Sequence, residues 1–134
     1  MQKSLTNINY RGYAKQLLRF DGLELSRNAS PMDIDGVIEW DDKKIVLIEI
    51  KKKGVKVPYG ERMTLQRMIN DFWRAGKQAV AIVADHRVFN PAEDVIVADC
   101  IVREVYTSRE RTWRPPKKMM TVENLVRLFL YNQS

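Results

Sequence analysis

An uninterrupted apolar run that ends in charged residues constrains this chain more than any other feature. Residues 45–51 read Ile-Val-Leu-Ile-Glu-Ile-Lys. Such a run predicts a strand that is covered on both faces, near the centre of a sheet. Because side chains alternate along a strand, Glu49 and Lys51 point to the same face, about 6–7 Å apart. Burying either charge alone costs several kcal/mol, so we expect a partner for them there.

A second strand is predicted directly before this run. Residues 32–40 read Met-Asp-Ile-Asp-Gly-Val-Ile-Glu-Trp, and the short polar connection 41–44 is typical of a hairpin. Asp35 on this strand is the nearest candidate to meet Glu49 and Lys51.

The combination of Asp35 and Glu49-x-Lys51, 14 positions apart, resembles the active-site pattern of the PD-(D/E)XK nuclease superfamily. This superfamily has the fold of restriction endonucleases and archaeal Holliday-junction resolvases. The resemblance implies that Asp35, Glu49 and the backbone carbonyl of Ile50 bind Mg²⁺, for which Mn²⁺ can substitute. It also implies that Lys51 orients or deprotonates the attacking water and offsets charge on the phosphate. Asp33 shares the face of Asp35 and is the alternative acidic ligand.

The chemistry of magnesium agrees with this resemblance. Mg²⁺ prefers oxygen ligands and usually keeps several waters, so two protein carboxylates are sufficient. A bound divalent cation lowers the pKa of water and polarises a phosphoryl oxygen.

The order of predicted elements is also that of the superfamily. Beyond the two strands above, we predict a helix over 6–20, a short strand over 23–27, a helix over 60–75 that ends at Gly76, a strand over 78–84, edge strands over 95–97 and 100–106, and a last helix capped by Thr121. The predicted fold is therefore α/β, a single domain over 1–134. Its restriction endonuclease-like αβββαβ core would have a mixed central sheet flanked by helices.

Two further residues are candidate accessory groups. Glu24 lies on the predicted strand 23–27, where it either approaches the metal or is a solvated edge residue. Some relatives, notably the exonuclease branch, place a glutamine near the active site on the helix that corresponds to 60–75. Gln66 matches that glutamine, and the alternative is that it has no role.

The basic character of the chain favours a polyanionic partner. The net charge is +6 and the pI is about 9.5. Basic residues around an aromatic ring are typical of surfaces that hold phosphates and stack on bases. The candidate nucleic-acid-binding residues are Arg11, Lys15 and Arg19 on the first helix, Lys52, Lys53 and Lys56 after the central strand, and Arg111, Trp113 and Arg114 in segment 108–118. The alternatives are solvated faces and a tryptophan that is tucked into the core.

Cysteine usage and hydropathy indicate the compartment. The single cysteine, Cys100, excludes an internal disulfide and a multi-cysteine zinc site, and it favours a reducing, cytoplasmic location. No segment reaches 18 consecutive apolar residues, so we expect no membrane partner. DNA is the expected partner. The sequence leaves open whether the chain forms a homodimer.

The sequence therefore predicts a metal-dependent DNA endonuclease that hydrolyses phosphodiester bonds. If the enzyme selects its substrate by DNA structure, branched or junction DNA is the expected substrate. A catalytically silent nucleic-acid-binding protein on the same fold is the alternative. A third interpretation is a structural or regulatory domain whose charged hairpin binds no metal.

Overall fold

Five strands in the order β1-β2-β3-β4-β5 form one mixed sheet in the computed structural model, which describes residues 18–26 and 30–132. The elements of the described chain are β1 (Gly36–Trp40), β2 (Lys44–Lys52), α1 (Tyr59–Arg74), β3 (Gln78–His86), a 3₁₀ turn (Val97–Asp99), β4 (Ile101–Thr107), β5 (Thr112–Arg114) and α2 (Val122–Tyr131). The α/β class is therefore confirmed. The chain divides after Asp33 into two units, and all of these elements belong to the second.

Strand directions follow from the connections. A short turn joins β1 to β2 as an antiparallel hairpin, in which the N–H of Lys43 donates to the carbonyl of Trp40 at 2.9 Å. Asp41 and Asp42 both have positive φ in this turn, a conformation that matches the twist of the flanking strands. Helix α1 connects β2 to β3, and these two strands are parallel, as a helical crossover requires. The remaining neighbours are antiparallel.

Both faces of β2 are buried, as the apolar run predicts. Val46 is 0% exposed and Leu47 is 1% exposed, although alternation turns them to opposite faces. The face of Val46 belongs to a cluster with residues of β3, β4 and α2. The opposite face carries Leu47, Glu49 and Lys51. This face packs towards α1, as the contact between Lys51 and Glu61 of that helix shows.

Helix α2 is fastened at both ends. Thr121 Oγ1 accepts from the N–H of Asn124 at 3.2 Å, which confirms the predicted cap. At the other end, Lys44 Nζ donates to the carbonyls of Phe129 and Asn132 at 2.7 and 2.9 Å. A cation at the carbonyl end of a helix satisfies groups that have no partner within the helix.

Several predicted elements are wrong or fall outside the described residues. Of the predicted helix 6–20, residues 6–17 lie outside the described residues, and 18–20 are not helical. Residues 23–25 form no strand, and Ser26 makes an isolated bridge. Leu23 and Leu25 are 56% and 76% exposed, so their side chains gain little from burial. Residues 95–97 lead into the 3₁₀ turn instead of a strand, and segment 108–118 contains β5.

Helix length bears on the membrane question. Neither helix in residues 18–26 and 30–132 is long and apolar enough to cross a membrane.

Candidate functional site

The hairpin brings Asp35 and Glu49 together. Gly36 pairs with Ile48, so one further step along the register places Asp35 opposite Glu49. Asp35 Oδ2 accepts a hydrogen bond from the N–H of Ile50 at 2.7 Å. The N–H and C=O of one strand residue point to the same side, so the carbonyl of Ile50 lies on the side of Asp35. The three predicted oxygen ligands therefore lie on adjoining backbone.

Glu49 is a buried carboxylate without full hydrogen bonding. The residue is 5% exposed, and its Oε1 has no hydrogen-bond partner among the described residues. Burial raises the pKa of Glu49 to about 7, and the negative charge of Asp35 adds to this rise. Lys51 opposes the rise, and the proximity of Glu61 adds to it. A buried oxygen of this kind is costly unless a proton or a cation meets it.

Lys51 is held between two carboxylates. Its Nζ lies 3.4 Å from Glu49 Oε2 and 3.2 Å from Glu61 Oε1, and its side chain is 19% exposed. Burial alone lowers the pKa of Lys51, but Glu61 and then Glu49 outweigh this effect and leave the pKa raised. The ammonium therefore stays protonated near neutral pH. Of the two predicted roles, this favours orienting the water and offsetting charge over accepting a proton.

Glu61 is the site residue that sequence reasoning missed. It lies in the first turn of α1, where acidic residues are common because they interact favourably with the helix dipole. Because of that preference, a glutamate in a first turn does not by itself indicate a functional site. The approach of α1 to the end of β2 depends on the loop 53–58, and no motif in the sequence announces it.

The oxygen atoms present fit a hard divalent cation. Asp35, Glu49 and the carbonyl of Ile50 supply oxygen only, and Glu49 Oε1 is a buried acceptor that has no donor in the described chain. Residues 18–26 and 30–132 contain no group of three or more His, Cys, Asp or Glu side chains that is placed to hold a metal ion. Mg²⁺ does not require one, since it keeps several waters.

The other acidic candidates belong to the unit that ends at Asp33. Asp33 and Glu24 are both exposed there. Their roles as an alternative or accessory ligand stay predictions.

Gln66 contacts a residue of the edge strand β5. Its Oε1 accepts a hydrogen bond from Trp113 Nε1 at 2.8 Å. Trp113 lies on β5, which is separated from β2 by two strands, so the backbones of β5 and β2 are about 14 Å apart across the sheet. This contact engages the side chain of Gln66 with β5, and an accessory role for Gln66 stays a prediction.

Trp113 is part of the packing between α1 and the sheet. The guanidinium of Arg62 lies 4.9 Å from the centre of its ring, and the ring of Tyr106 lies 5.5 Å away. Arg62 also pairs with Glu104. These contacts favour the packed alternative over a ring that is free to stack on bases.

The basic residues at the end of β2 and directly after it lie on the surface. Lys52, Lys53 and Lys56 are exposed, and Lys52 Nζ lies 5.0 Å from the centre of the Phe89 ring. Of the predicted first-helix stripe, Arg11 and Lys15 lie outside the described residues. Arg19 pairs with Asp21 at 2.5 Å.

Segment 108–118 does not form one surface with those lysines. Lys51 is level with Asp85 in the sheet, whereas Thr107 is level with Val80, about 16 Å away along β3. Arg111 lies in the turn between Thr107 and β5, so it is at the opposite end of the sheet from Lys51. Arg114 lies between these levels and pairs with Glu110 at 3.6 Å.

Comparison with known proteins adds no relative. No family model, no curated protein and no solved structure matches this chain. The function is therefore inferred from the geometry around Asp35, Glu49 and Lys51.

Proposed function

We propose that this protein is a metal-dependent DNA endonuclease that hydrolyses phosphodiester bonds at a site formed by Asp35, Glu49 and Lys51. The observation that carries the proposal is the buried Oε1 of Glu49, which has no partner in the described chain and lies in a carboxylate beside a charged lysine. A stable fold does not need such an arrangement, because an apolar residue at position 49 would avoid the cost of burying the charge.

The order of elements supports a restriction endonuclease-like core. The segment β1-β2-α1-β3, with an antiparallel hairpin and a parallel crossover, is compatible with the last four elements of αβββαβ. Glu49 and Lys51 lie near the carboxyl end of β2, where α1 begins. Ligand sites in α/β sheets are usually found at the carboxyl ends of parallel strands. A fold can host many functions, so this likeness only adds to the chemistry of the site.

The residues have separate roles in the proposed reaction. Asp35, Glu49 and the carbonyl of Ile50 would hold Mg²⁺ or Mn²⁺. When bound, the cation polarises a phosphoryl oxygen and lowers the pKa of a water. Lys51 donates hydrogen bonds to the attacking water or to the phosphate, and its charge offsets the negative charge that develops there. Glu49 must lose its proton to act as a ligand, so protons compete with the cation near pH 7.

The surface beside the site supports DNA as the substrate. Lys52, the last residue of the strand that carries Glu49, is exposed, as are Lys53 and Lys56 after it, and their charges neutralise phosphates. Contacts of this kind read the backbone rather than the bases. This favours recognition of DNA structure, such as branched or junction DNA, over recognition of sequence.

A catalytically silent DNA-binding protein is the second candidate. One observation favours it: Lys51 already has two carboxylate partners, Glu49 and Glu61, without any metal. A charge network that is largely satisfied in this way is compatible with a purely structural role.

A cleavage panel separates these functions. The protein is incubated with duplex, single-stranded, flap and four-way DNA in Mg²⁺, Mn²⁺ or EDTA, and binding is measured in parallel in Ca²⁺. The nuclease proposal predicts cleavage in Mg²⁺ and Mn²⁺, none in EDTA, and none by Glu49→Gln. Binding without cleavage would support the silent candidate, and the absence of both would leave a structural or regulatory domain.

A further inference from the structure

We infer that Glu61 is a positioning residue, whose carboxylate holds the ammonium of Lys51 beside Glu49. This inference rests on the proposed nuclease function, because it assigns Glu61 a role in that same site. Neither the nuclease motif nor the predicted accessory residues include Glu61.

The contact distances carry the inference. Lys51 Nζ lies 3.2 Å from Glu61 Oε1 and 3.4 Å from Glu49 Oε2, so it is shared between a helix and a strand. The side chain of Lys51 is 19% exposed and that of Glu61 is 27% exposed. The next two lysines, Lys52 and Lys53, are exposed. A lysine has many rotamers, and a second anchor from another element restricts them.

The backbone fixes the position of the Glu61 anchor. Glu61 follows the start of α1 at Tyr59 by two residues, and Pro58 provides no side-chain cap for the helix. The first N–H groups of a helix and its dipole favour a negative charge at this position. Glu61 is therefore positioned by a regular helix rather than by the loop 53–58.

Glu61 acts on Lys51 in this arrangement and is not one of the metal ligands. Its Oε1 is directed to the ammonium, whereas Glu49 Oε1 has no donor in the described chain. Asp35, Glu49 and Glu61 also fail to form a three-carboxylate metal group in residues 18–26 and 30–132. The expected defect is therefore in turnover and not in the requirement for metal.

A double-mutant cycle on the full-length chain tests this role. Glu61→Gln, Lys51→Ala and the double variant are compared with Asp71→Asn, which removes an exposed negative charge from the last turn of the same helix. Glu61→Gln should lower kcat by about 10- to 100-fold, the range for groups that orient a reacting residue. The affinity for DNA in Ca²⁺ should not change. The Mg²⁺ concentration for half-maximal rate should not rise, because loss of the Glu61 charge lowers the pKa of Glu49 and so reduces the competition from protons. In the Lys51→Ala background, Glu61→Gln should cause no further loss, and Asp71→Asn should behave as the parent.

Several outcomes would overturn the inference. A higher Mg²⁺ requirement for Glu61→Gln would make Glu61 a ligand, and a full additional loss in the Lys51→Ala background would show that it acts independently of Lys51. The same cycle, measured as urea unfolding in EDTA, does not depend on activity. Coupled unfolding free energies for Lys51 and Glu61 are expected, and additive ones would refute the contact. If the parent cuts no DNA although unfolding is coupled, the proposed function fails, and the pair is a structural ion pair without a positioning role.

Discussion

Asp35 Oδ2 accepts a hydrogen bond from the backbone N–H of Ile50 at 2.7 Å. The last backbone pair of the hairpin is Gly36 with Ile48. Asp35 directly precedes Gly36, and Ile50 lies two residues beyond Ile48. The side chain therefore extends the hairpin past the last backbone pair. One carboxylate thus combines a structural role with its proposed role as a ligand, and two substitutions separate these roles.

Asp35→Asn and Asp35→Ala should differ in stability. Asparagine keeps an acceptor for the N–H of Ile50, so its free energy of unfolding should stay close to that of the parent. Alanine removes the acceptor, and we expect a loss of about 0.5–1.5 kcal/mol. Urea denaturation in EDTA measures both values. An equal loss in the two variants would mean that the charge of Asp35, rather than its hydrogen bond, stabilises the hairpin.

The raised pKa of Glu49 predicts an unusual dependence of stability on pH. Its pKa rises from 4.5 to about 7 on folding, so the folded state binds more protons than the unfolded state between these values. The contribution of Glu49 is therefore fully present below pH 4.5 and is lost as the pH rises through about 7. The loss amounts to at most about 3 kcal/mol. Urea unfolding at a series of pH values in EDTA measures it.

Glu49→Gln provides the control for this pH dependence. The variant has no carboxyl group to titrate at position 49, so its stability should depend less on pH over the same interval. Mg²⁺ should stabilise the parent at pH 8, because binding to the folded state alone shifts the equilibrium, and it should not stabilise the variant. Parallel pH profiles of the two proteins would contradict the assigned environment of Glu49.

Lys51→Ala should impair turnover more than binding. One ammonium among 23 basic residues adds little to DNA affinity, whereas stabilisation of developing charge in a preorganised site can reach about 3–4 kcal/mol. The measurements are kcat in Mg²⁺ and Kd for DNA in Ca²⁺. Lys43→Ala, which removes an exposed lysine at the other end of β2, should leave kcat unchanged. Matched losses of rate and affinity in Lys51→Ala would make Lys51 an ordinary phosphate contact.

The two ends of the sheet should contribute differently to DNA binding. For duplex DNA, log affinity falls with log salt by about 0.9 for each phosphate contacted. Replacing Lys52 and Lys53 with alanine should make this slope shallower, because both are exposed next to the site. Replacing Arg109 and Arg111 removes the same charge from the opposite end of the sheet and should leave the slope unchanged. The reverse result would place the DNA on the far end of the sheet.

The parts of the fold that could be predicted are those with a strong local signal. The apolar runs of β2 and β3 and the helical periodicity before Gly76 correspond to elements in the structure, and Gly76 has the positive φ that ends a helix. Strand β5 was missed because it has three residues and follows Arg111, which has a φ of 56°. Its pairing with β4 depends on tertiary contacts such as that between Trp113 and Gln66.

The candidate site divides in the same way. Asp35, Glu49 and Lys51 could be predicted together because one hairpin register relates them. The position of Glu61 depends on how α1 crosses the sheet. The contact of Gln66 depends on Trp113 of β5, the third strand along the sheet from β2. Neither relationship is encoded in a local spacing. The location of the basic segment 108–118 could not be predicted for a similar reason, since its turn reverses direction at the far end of the sheet. Its role in binding nucleic acid stays a prediction.

The most direct test of the central claim is the rate of DNA cleavage in Mg²⁺ by the parent, Asp35→Asn and Glu49→Gln, measured side by side on the best substrate of the panel. Asp71→Asn, an acidic residue on the exposed side of α1, serves as the matched control. We predict that the parent and Asp71→Asn cut at similar rates, and that Asp35→Asn and Glu49→Gln are folded but inactive. Cleavage by either site variant at the rate of the parent would contradict the assignment of the nuclease site.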